Sequence, residues 1–370
     1  MPKLSPSLKL LRKLARANRK QLSLFSGMLR ATSPVSASKR RKKTNTNHAA
    51  RTPGMPGGEA TKPSAEPIAP GKWRASVYPL PHQSTLAPSQ HLAYWLYLPD
   101  RSPTDMPHQG FPLVVMLHGC HQSATQFAQG TRMNVVAEAK GYAVLYPQQN
   151  IAAQGQRCWR WYRRPVQVGG GETEAIAGLI KHVSAQHAID RRRIYACGIS
   201  AGAGMAAILA LNHPALIAAI GMHSGPVFGV ARNASEAISV MRHGGNSAAE
   251  DAVQLLQFQH SAPAILIHGE CDHVVRPVNQ EHLTRQWLRL NGLPENAAFS
   301  LTVKPATRSG SRHAYEVHDY RPGPKPILRV IRIADLGHAW SGGDPSVRFN
   351  TAAGPDASRL MLDFFRLHQH

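Results

Sequence analysis

Gly198-Ile199-Ser200-Ala201-Gly202 places a serine between small residues, directly after the apolar run Ile194-Tyr195-Ala196-Cys197 and before the Ala-, Leu- and Met-rich stretch 203–211. A G-x-S-x-G sequence between a strand and a helix marks a sharp turn that lifts a hydroxyl clear of the backbone. A serine hydroxyl is a weak nucleophile, so the chemistry needs a base to take its proton and an acid to orient that base. Two segments downstream supply them in the order serine, acid, histidine. The run Ala264-Ile265-Leu266-Ile267 breaks at Gly269 into a loop carrying Asp272, and the alternating run 328–333 is followed by His338 on a glycine-bracketed loop. Asp272 is the expected acid, Glu270 its rival, and Asp251, Asp335 and Asp344 are weaker substitutes.

Attack by Ser200 on a carbonyl would leave negative charge on the former carbonyl oxygen, and two fixed backbone N–H groups stabilise such an oxyanion by roughly 3–4 kcal/mol each. The buried run Pro112-Leu113-Val114-Val115-Met116-Leu117 ends in His118-Gly119-Cys120, where one donor is expected. The amides of Cys120 and Ala201 are assigned to the hole, and His118 to the structure of its loop.

These residues require elements that bring distant segments to one edge of a sheet. Short apolar runs predict strands at 93–97, 113–117, 142–146, 194–197, 218–222, 264–267 and 328–333. Helices are predicted at 124–140, 172–187, 201–212, 278–291 and 357–367. This alternation predicts a mostly parallel sheet flanked by helices, with irregular excursions at 156–171 and 227–245 shaping a groove. Residues 72–370 form the expected catalytic domain and 1–71 a tail and linker.

The run Leu117-His118-Gly119-Cys120-His121-Gln122-Ser123 is followed by Tyr146-Pro147-Gln148, by Cys158-Trp159-Arg160-Trp161 and by Gly169-Gly170-Gly171-Glu172. With the Ser200 turn, the His268-to-Asp272 segment and Gly337-His338-Ala339-Trp340-Ser341-Gly342-Gly343, this series resembles the polyhydroxybutyrate (PHB) depolymerase family of esterases, across roughly residues 75–368. The resemblance implies an α/β-hydrolase related to feruloyl and acetylxylan esterases, with Ser200, Asp272 and His338 as its triad. It also implies hydrolysis of short-chain polyhydroxyalkanoate or similar carboxylic esters, with no cofactor or metal. By the same resemblance Trp159 and Trp161 line an acyl or polymer groove; Trp340, within the His338 motif, is counted with them as substrate-binding. Secreted polymer depolymerases of this kind carry a linker and substrate-binding domain after the catalytic domain, which this sequence lacks after its last helix. Soluble oligomers, amorphous granules or small esters are therefore the expected substrates.

Charge is concentrated at the amino terminus. Fourteen Lys and Arg and no acidic residue lie within residues 1–51, so this segment carries most of the formal net charge of +22. Leu4, Leu8, Leu11, Ala15, Leu22, Phe25 and Leu29 recur at near-helical spacing among the cations, predicting a basic amphipathic helix. Residues 1–43 could thereby contact a PHB granule or an anionic surface. The Pro-, Gly-, Ser- and Thr-rich stretch to residue 71 reads as a linker. A role as a granule- or nucleic-acid-associated binding protein would use the same charges, but no motif for reading bases accompanies them. The polar breaks Ser23, Ser26 and Gly27 interrupt any signal-peptide core, so a cytoplasmic location is expected, with secretion as the alternative; no stretch is long enough to span a membrane. Cys120 and Cys158 both fall in family motifs, and in an oxidising compartment their pairing would brace the oxyanion loop. Cys197 reads as a small buried hydrophobe.

Overall fold

The computed structural model describes residues 69–80, 91–100, 110–151, 155–245, 262–308 and 310–370. The expectations for residues 1–43, for the linker up to residue 68 and for Asp251 lie outside them. Ten strands form one sheet: β1 (Lys72–Pro79), β2 (His91–Leu98), β3 (Phe111–Leu117), β4 (Ala143–Pro147), β5 (Ile189–Ile199), β6 (Ala219–His223), β7 (Ala264–Gly269), β8 (Ser300–Lys304), β9 (Tyr315–Tyr320) and β10 (Leu328–Ile333). Their order across the sheet is β1-β2-β4-β3-β5-β6-β7-β10-β9-β8. The central run from β4 to β10 is parallel, and an antiparallel pair closes each side. A small parallel pair, β11 (Trp340–Ser341) and β12 (Asn350–Thr351), shapes the loop after His338.

The eight described helices are α1 (Ala124–Thr131), α2 (Met133–Lys140), α3 (Arg164–Gln167), α4 (Glu172–Gln186), α5 (Ala201–Asn212), α6 (Ala234–His243), α7 (Val278–Leu290) and α8 (Ala357–Phe365). The central parallel strands β3, β4, β6 and β7 and the second half of β5 are almost wholly buried and mostly apolar because helices cover both faces, whereas β10 alternates, with Arg329 and Arg332 half-buried. Leu113, Val115 and Leu117 of β3 pack with residues of α4, α5 and α7, whereas Val114 and Met116 point to the other face, toward α1, α2 and α8. Helix α5 is buried from Ala201 to Leu211, which explains why its sequence is apolar all round.

Several elements correct the expectations. The single helix predicted at 124–140 is two, because Arg132 takes a left-handed conformation at φ 54° and breaks the hydrogen-bond ladder. The excursions at 156–171 and 227–245 contain α3 and α6; the latter starts where Asn233 Oδ1 accepts from Glu236 N at 3.0 Å. Strands β1, β8 and β9 were not predicted. β1 and β8 are largely exposed and lack the continuous apolar runs that identify the central strands.

Close approach of backbone to backbone under the serine turn needs glycine. A Cβ at Gly202 would stand 1.9 Å from Leu117 O and 2.7 Å from His118 O. Both oxygens are main-chain atoms and cannot swing aside, so Gly202→Ala is expected to cost about 3 kcal/mol or more. Urea denaturation checks this, and a loss below about 1 kcal/mol would mean that the contact relaxes freely.

Candidate active site

Strand register brings the chemistry together. Leu117 pairs with Gly198, Ile199 with His223, His223 with Ile267, and Gly269 with Ile333, so β3, β5, β6, β7 and β10 end side by side. Ser200 follows β5, Asp272 follows β7 and His338 follows β10, while His118-Gly119-Cys120 leaves β3 next to the serine turn. The loops after β7 and β10 are stitched together by Glu270 N donating to Ile333 O (3.0 Å) and Cys271 N donating to Leu336 O (3.0 Å).

Ser200 has φ 56° and ψ −121°, a left-handed backbone that serine rarely adopts and that the surroundings must enforce. Its N–H donates to His223 O at 3.0 Å and its C=O accepts from Gly204 N at 3.1 Å, the first bond of α5. The residue is 8% exposed. Among the described residues no hydrogen bond joins Ser200 to His338, and nucleophile–base contacts are commonly long before substrate binds.

Asp272 is buried, and both of its oxygens are occupied. Oδ1 accepts from the amides of Val274 and Val275, each at 2.9 Å, and Oδ2 accepts from His338 Nδ1 at 2.8 Å. Burial opposes ionisation, but the charge and hydrogen bond of His338, followed by His268, outweigh it and hold the carboxyl down to about 2. With its Nδ1 proton on Asp272, the His338 ring leaves Nε2 available as an acceptor. Glu270 and Asp335 are exposed and Asp344 accepts from Ser346 N at 2.9 Å, so among the described acids Asp272 is the one on the histidine.

The loop after β3 is arranged so that one amide is left over. Gly119 N donates to Gln122 Oε1 at 2.8 Å, His121 N to Gln156 O at 2.7 Å and Gln122 N to Gly119 O at 3.4 Å. His118 is buried: Nδ1 donates to Gly119 O at 2.8 Å and Nε2 accepts from Gln149 N at 3.1 Å. Burial pushes its imidazole down to about 4, which keeps it neutral as that pattern demands. Among the described residues neither the Cys120 amide nor that of Ala201, the first residue of α5, has an acceptor.

Cys120 is bonded to Cys158, which ties this loop to the Trp159-containing segment; Cys197 and Cys271 are free. The bridge spans 38 residues, for which loop-closure entropy amounts to about 4 kcal/mol. Reduction is expected to lower the melting temperature and to slow turnover by releasing the loop. Thiol titration of the denatured, unreduced protein should count two thiols; four would mean that the bridge does not form.

The three tryptophans of the expected groove are buried. Trp159, Trp161 and Trp340 are 1%, 4% and 1% exposed and belong to the two cores. Trp159 stacks obliquely on His118, and Trp340 lies against His223 and edge-on to Phe127, with Nε1 donating to Ser358 Oγ at 3.1 Å. Their rings pack on protein, in the cores beside the loops of the site. The sequence reading missed His223, Ser224, His268 and Gln122 as parts of the site. A polar His-Ser pair ending the apolar β6 run, and a histidine ending β7, were the available signals.

A parallel sheet with helices on both faces and loops converging at the strand ends defines an α/β-hydrolase. The solved acetyl xylan esterase from Aspergillus awamori superimposes with a TM-score of 0.55 at 19% identity, covering 74% of this chain and 94% of that one. A dipeptidyl aminopeptidase IV-type protein from Bacteroides ovatus shares the fold at TM-score 0.50 and 12% identity, over 80% of this chain and 36% of that one. The chain belongs to the esterase PHB depolymerase family, whose model matches residues 92–308. Among curated relatives, poly(3-hydroxyalkanoate) depolymerase C of Paucimonas lemoignei is 27% identical over 282 residues, which cover 74% of this chain and 65% of that protein. Feruloyl esterase B of Thermothelomyces thermophilus is 27% identical over 216 residues, covering 55% of this chain and 72% of that protein. Among the described residues no helix is long and apolar enough to cross a membrane.

Proposed function

We propose that the protein is a serine carboxylic-ester hydrolase that cleaves poly(3-hydroxybutyrate), its oligomers or related short-chain esters through an acyl-enzyme. The observation that carries this reading is the 2.8 Å Asp272–His338 bond, set beside the strained Ser200 turn in a chain of this family. His338 Nε2 takes the Ser200 proton as Oγ attacks the ester carbonyl. The amides of Cys120 and Ala201 hold the oxyanion, and His338 returns the proton to the departing alkoxide. Water, activated by the same imidazole, then releases the acyl group. The catalytic unit is residues 72–370.

The polyester reading is supported by the family and by the chain's similarity to the poly(3-hydroxyalkanoate) depolymerase of Paucimonas. A feruloyl- or acetylxylan-type esterase is the second reading, supported by the Thermothelomyces relative. The bonded Cys120–Cys158 pair favours an oxidising compartment over the cytoplasm. Residues 1–43 act in this proposal as a surface contact, on polymer or on anionic groups.

The experiment compares p-nitrophenyl butyrate, a feruloyl ester, an acetylated xylan, a p-nitroanilide and amorphous PHB. Enzyme inactivated by a fluorophosphonate is the control. Release of chromophore and of 3-hydroxybutyrate, both lost on inactivation, is the expected result. Turnover of the feruloyl or acetyl substrate alone would move the assignment to the second reading, and turnover of the anilide alone would make the protein a peptidase. Deleting residues 1–71 should spare soluble-ester turnover and weaken adsorption to polymer.

A further inference from the structure

Glu172 opens α4 directly after Gly171, which turns the chain at φ 58° and ψ −120°. Its side chain is 17% exposed, and among the described residues its partners are all donors. Oε1 accepts from Gln149 Nε2 at 2.6 Å and Oε2 from Arg160 N at 2.7 Å, while Arg160 Nε stands 3.9 Å from Oε1. Gln149 is committed in turn. Its Nε2 also donates to Cys158 O at 3.2 Å, its Oε1 accepts from Asn150 N at 2.9 Å, and its main-chain N–H donates to His118 Nε2 at 3.1 Å. Residues 157–160 have no helix or strand ladder of their own, so these bonds on either side of Trp159 hold the segment in place.

Two lines run from this cluster to one peptide. Through His118, whose Nε2 is also approached by Gln148 Nε2 at 3.4 Å, the first reaches Gly119 O, which accepts from His118 Nδ1 at 2.8 Å. The Gly119 carbonyl and the Cys120 N–H belong to the same planar trans peptide, so holding the oxygen on one side aims the N–H to the other. The second line passes from Cys158 to Cys120 through the disulfide, beside the bond from His121 N to Gln156 O at 2.7 Å.

We propose that Glu172 and Gln149 are positioning residues of the oxyanion hole, fixing the Cys120 amide through His118 on one side and through Cys158 on the other. This inference rests on the hydrolase reading above. Burial pushes the Glu172 carboxyl above its ordinary value, and the bonds from Arg160 N and Gln149, with the charges of Arg160 and Arg163, pull it back. The carboxylate is matched to its donors: an apolar side chain here would leave Arg160 N and Gln149 Nε2 without this acceptor.

Glu172→Gln keeps the shape of the side chain and breaks the match. Arg160 N is a main-chain donor, and the Gln149 amide cannot turn over without losing Cys158 O and Asn150 N, so the new NH₂ must face one of two donors. The segment shifts, and the Cys120 amide with it. The kcat for p-nitrophenyl butyrate should fall roughly 10- to 100-fold with KM within about twofold of wild type, since the oxyanion forms only in the transition state. n-Butylboronic acid supplies a readout that general loosening would not move. Ser200 Oγ adds to its trigonal boron, passes its proton to His338 and leaves a tetrahedral, negatively charged adduct with an oxygen in the hole. Its inhibition constant should rise by about the same factor as kcat/KM falls. Gln149→Met should act in the same direction, and the Gln149→Met/Glu172→Gln double variant should be no worse than the poorer single, because both cut the same cluster. Three results would overturn the proposal: a kcat within about twofold of wild type in Glu172→Gln, a boronate constant unmoved while kcat falls, or a double-variant loss equal to the product of the two singles. Gln149→Met carries the test if urea denaturation shows that Glu172→Gln does not fold. Labelling of wild-type Ser200 by a fluorophosphonate is the independent control: its failure would sink the hydrolase reading, whereas labelling with no effect of these variants would sink only the present one.

Discussion

Ser200→Ala is expected to lower kcat on p-nitrophenyl butyrate by about 10⁴-fold or more while leaving the fold in place. The size follows from the mechanism: without Oγ no acyl-enzyme forms, and His338 and the two amides are left with only a water to direct. The fold should survive because alanine meets the same backbone demand as serine at φ 56°, since both carry a Cβ. Among the described residues the Ser200 hydroxyl makes no hydrogen bond that the variant would lose, and the turn's own bonds to His223 O and from Gly204 N are main-chain. Stability should stay within about 0.5 kcal/mol of wild type. The measurements are steady-state turnover, fluorophosphonate labelling and urea denaturation on the same preparation. Undiminished turnover would exclude a covalent mechanism at Ser200; lost turnover with a collapsed denaturation curve would leave the role of the hydroxyl open to the His338 and Asp272 variants.

The parts of this molecule that were legible in the sequence are those where burial writes the pattern. β3, the second half of β5 and β7 are buried on both sides and read as apolar runs, β10 reads as an alternating run, and the loop that ends each carries a residue of the candidate site. Ser200, Asp272 and His338 could therefore be proposed from motif and position, and the structure brings the last two into contact. Edge strands give no such signal. β8 is exposed along its whole length, and β1 takes its shape from pairing residue by residue with β2. The break at Arg132 was invisible because the left-handed residue is neither Gly nor Asn. The bond from Ser200 N to His223 O depends on β6 lying beside β5, a fact of strand order that local periodicity does not contain. Trp159, Trp161 and Trp340 were read as groove residues from their motifs, and their burial in the cores is a matter of packing that the motifs do not contain.

Replacing Asp272 by Asn should lower kcat by about 10⁴-fold, with less effect on KM, although the side chain is nearly isosteric. The reason lies in which donors surround the carboxylate. Val274 N and Val275 N both point at Oδ1 and, as main-chain donors, cannot be turned away. An Asn at this position must give its oxygen to them, so its NH₂ faces His338. The imidazole then accepts at Nδ1 and carries its proton on Nε2, so a donor faces Ser200 where a base is needed. Stability supplies an independent readout. The carboxyl of Asp272 is held down to about 2, below the ordinary carboxylate range near 4, so its ionised form stabilises the fold above that range. That contribution falls away as pH drops from about 4 toward 2, because the unfolded chain takes up the proton first. The stability gap between wild type and Asp272→Asn should accordingly be widest near neutral pH and narrow at pH 3, as urea denaturation at the two pH values would show. A kcat within tenfold of wild type, or a gap that does not change with pH, would mean that Asp272 neither sets the His338 tautomer nor stays ionised in the fold.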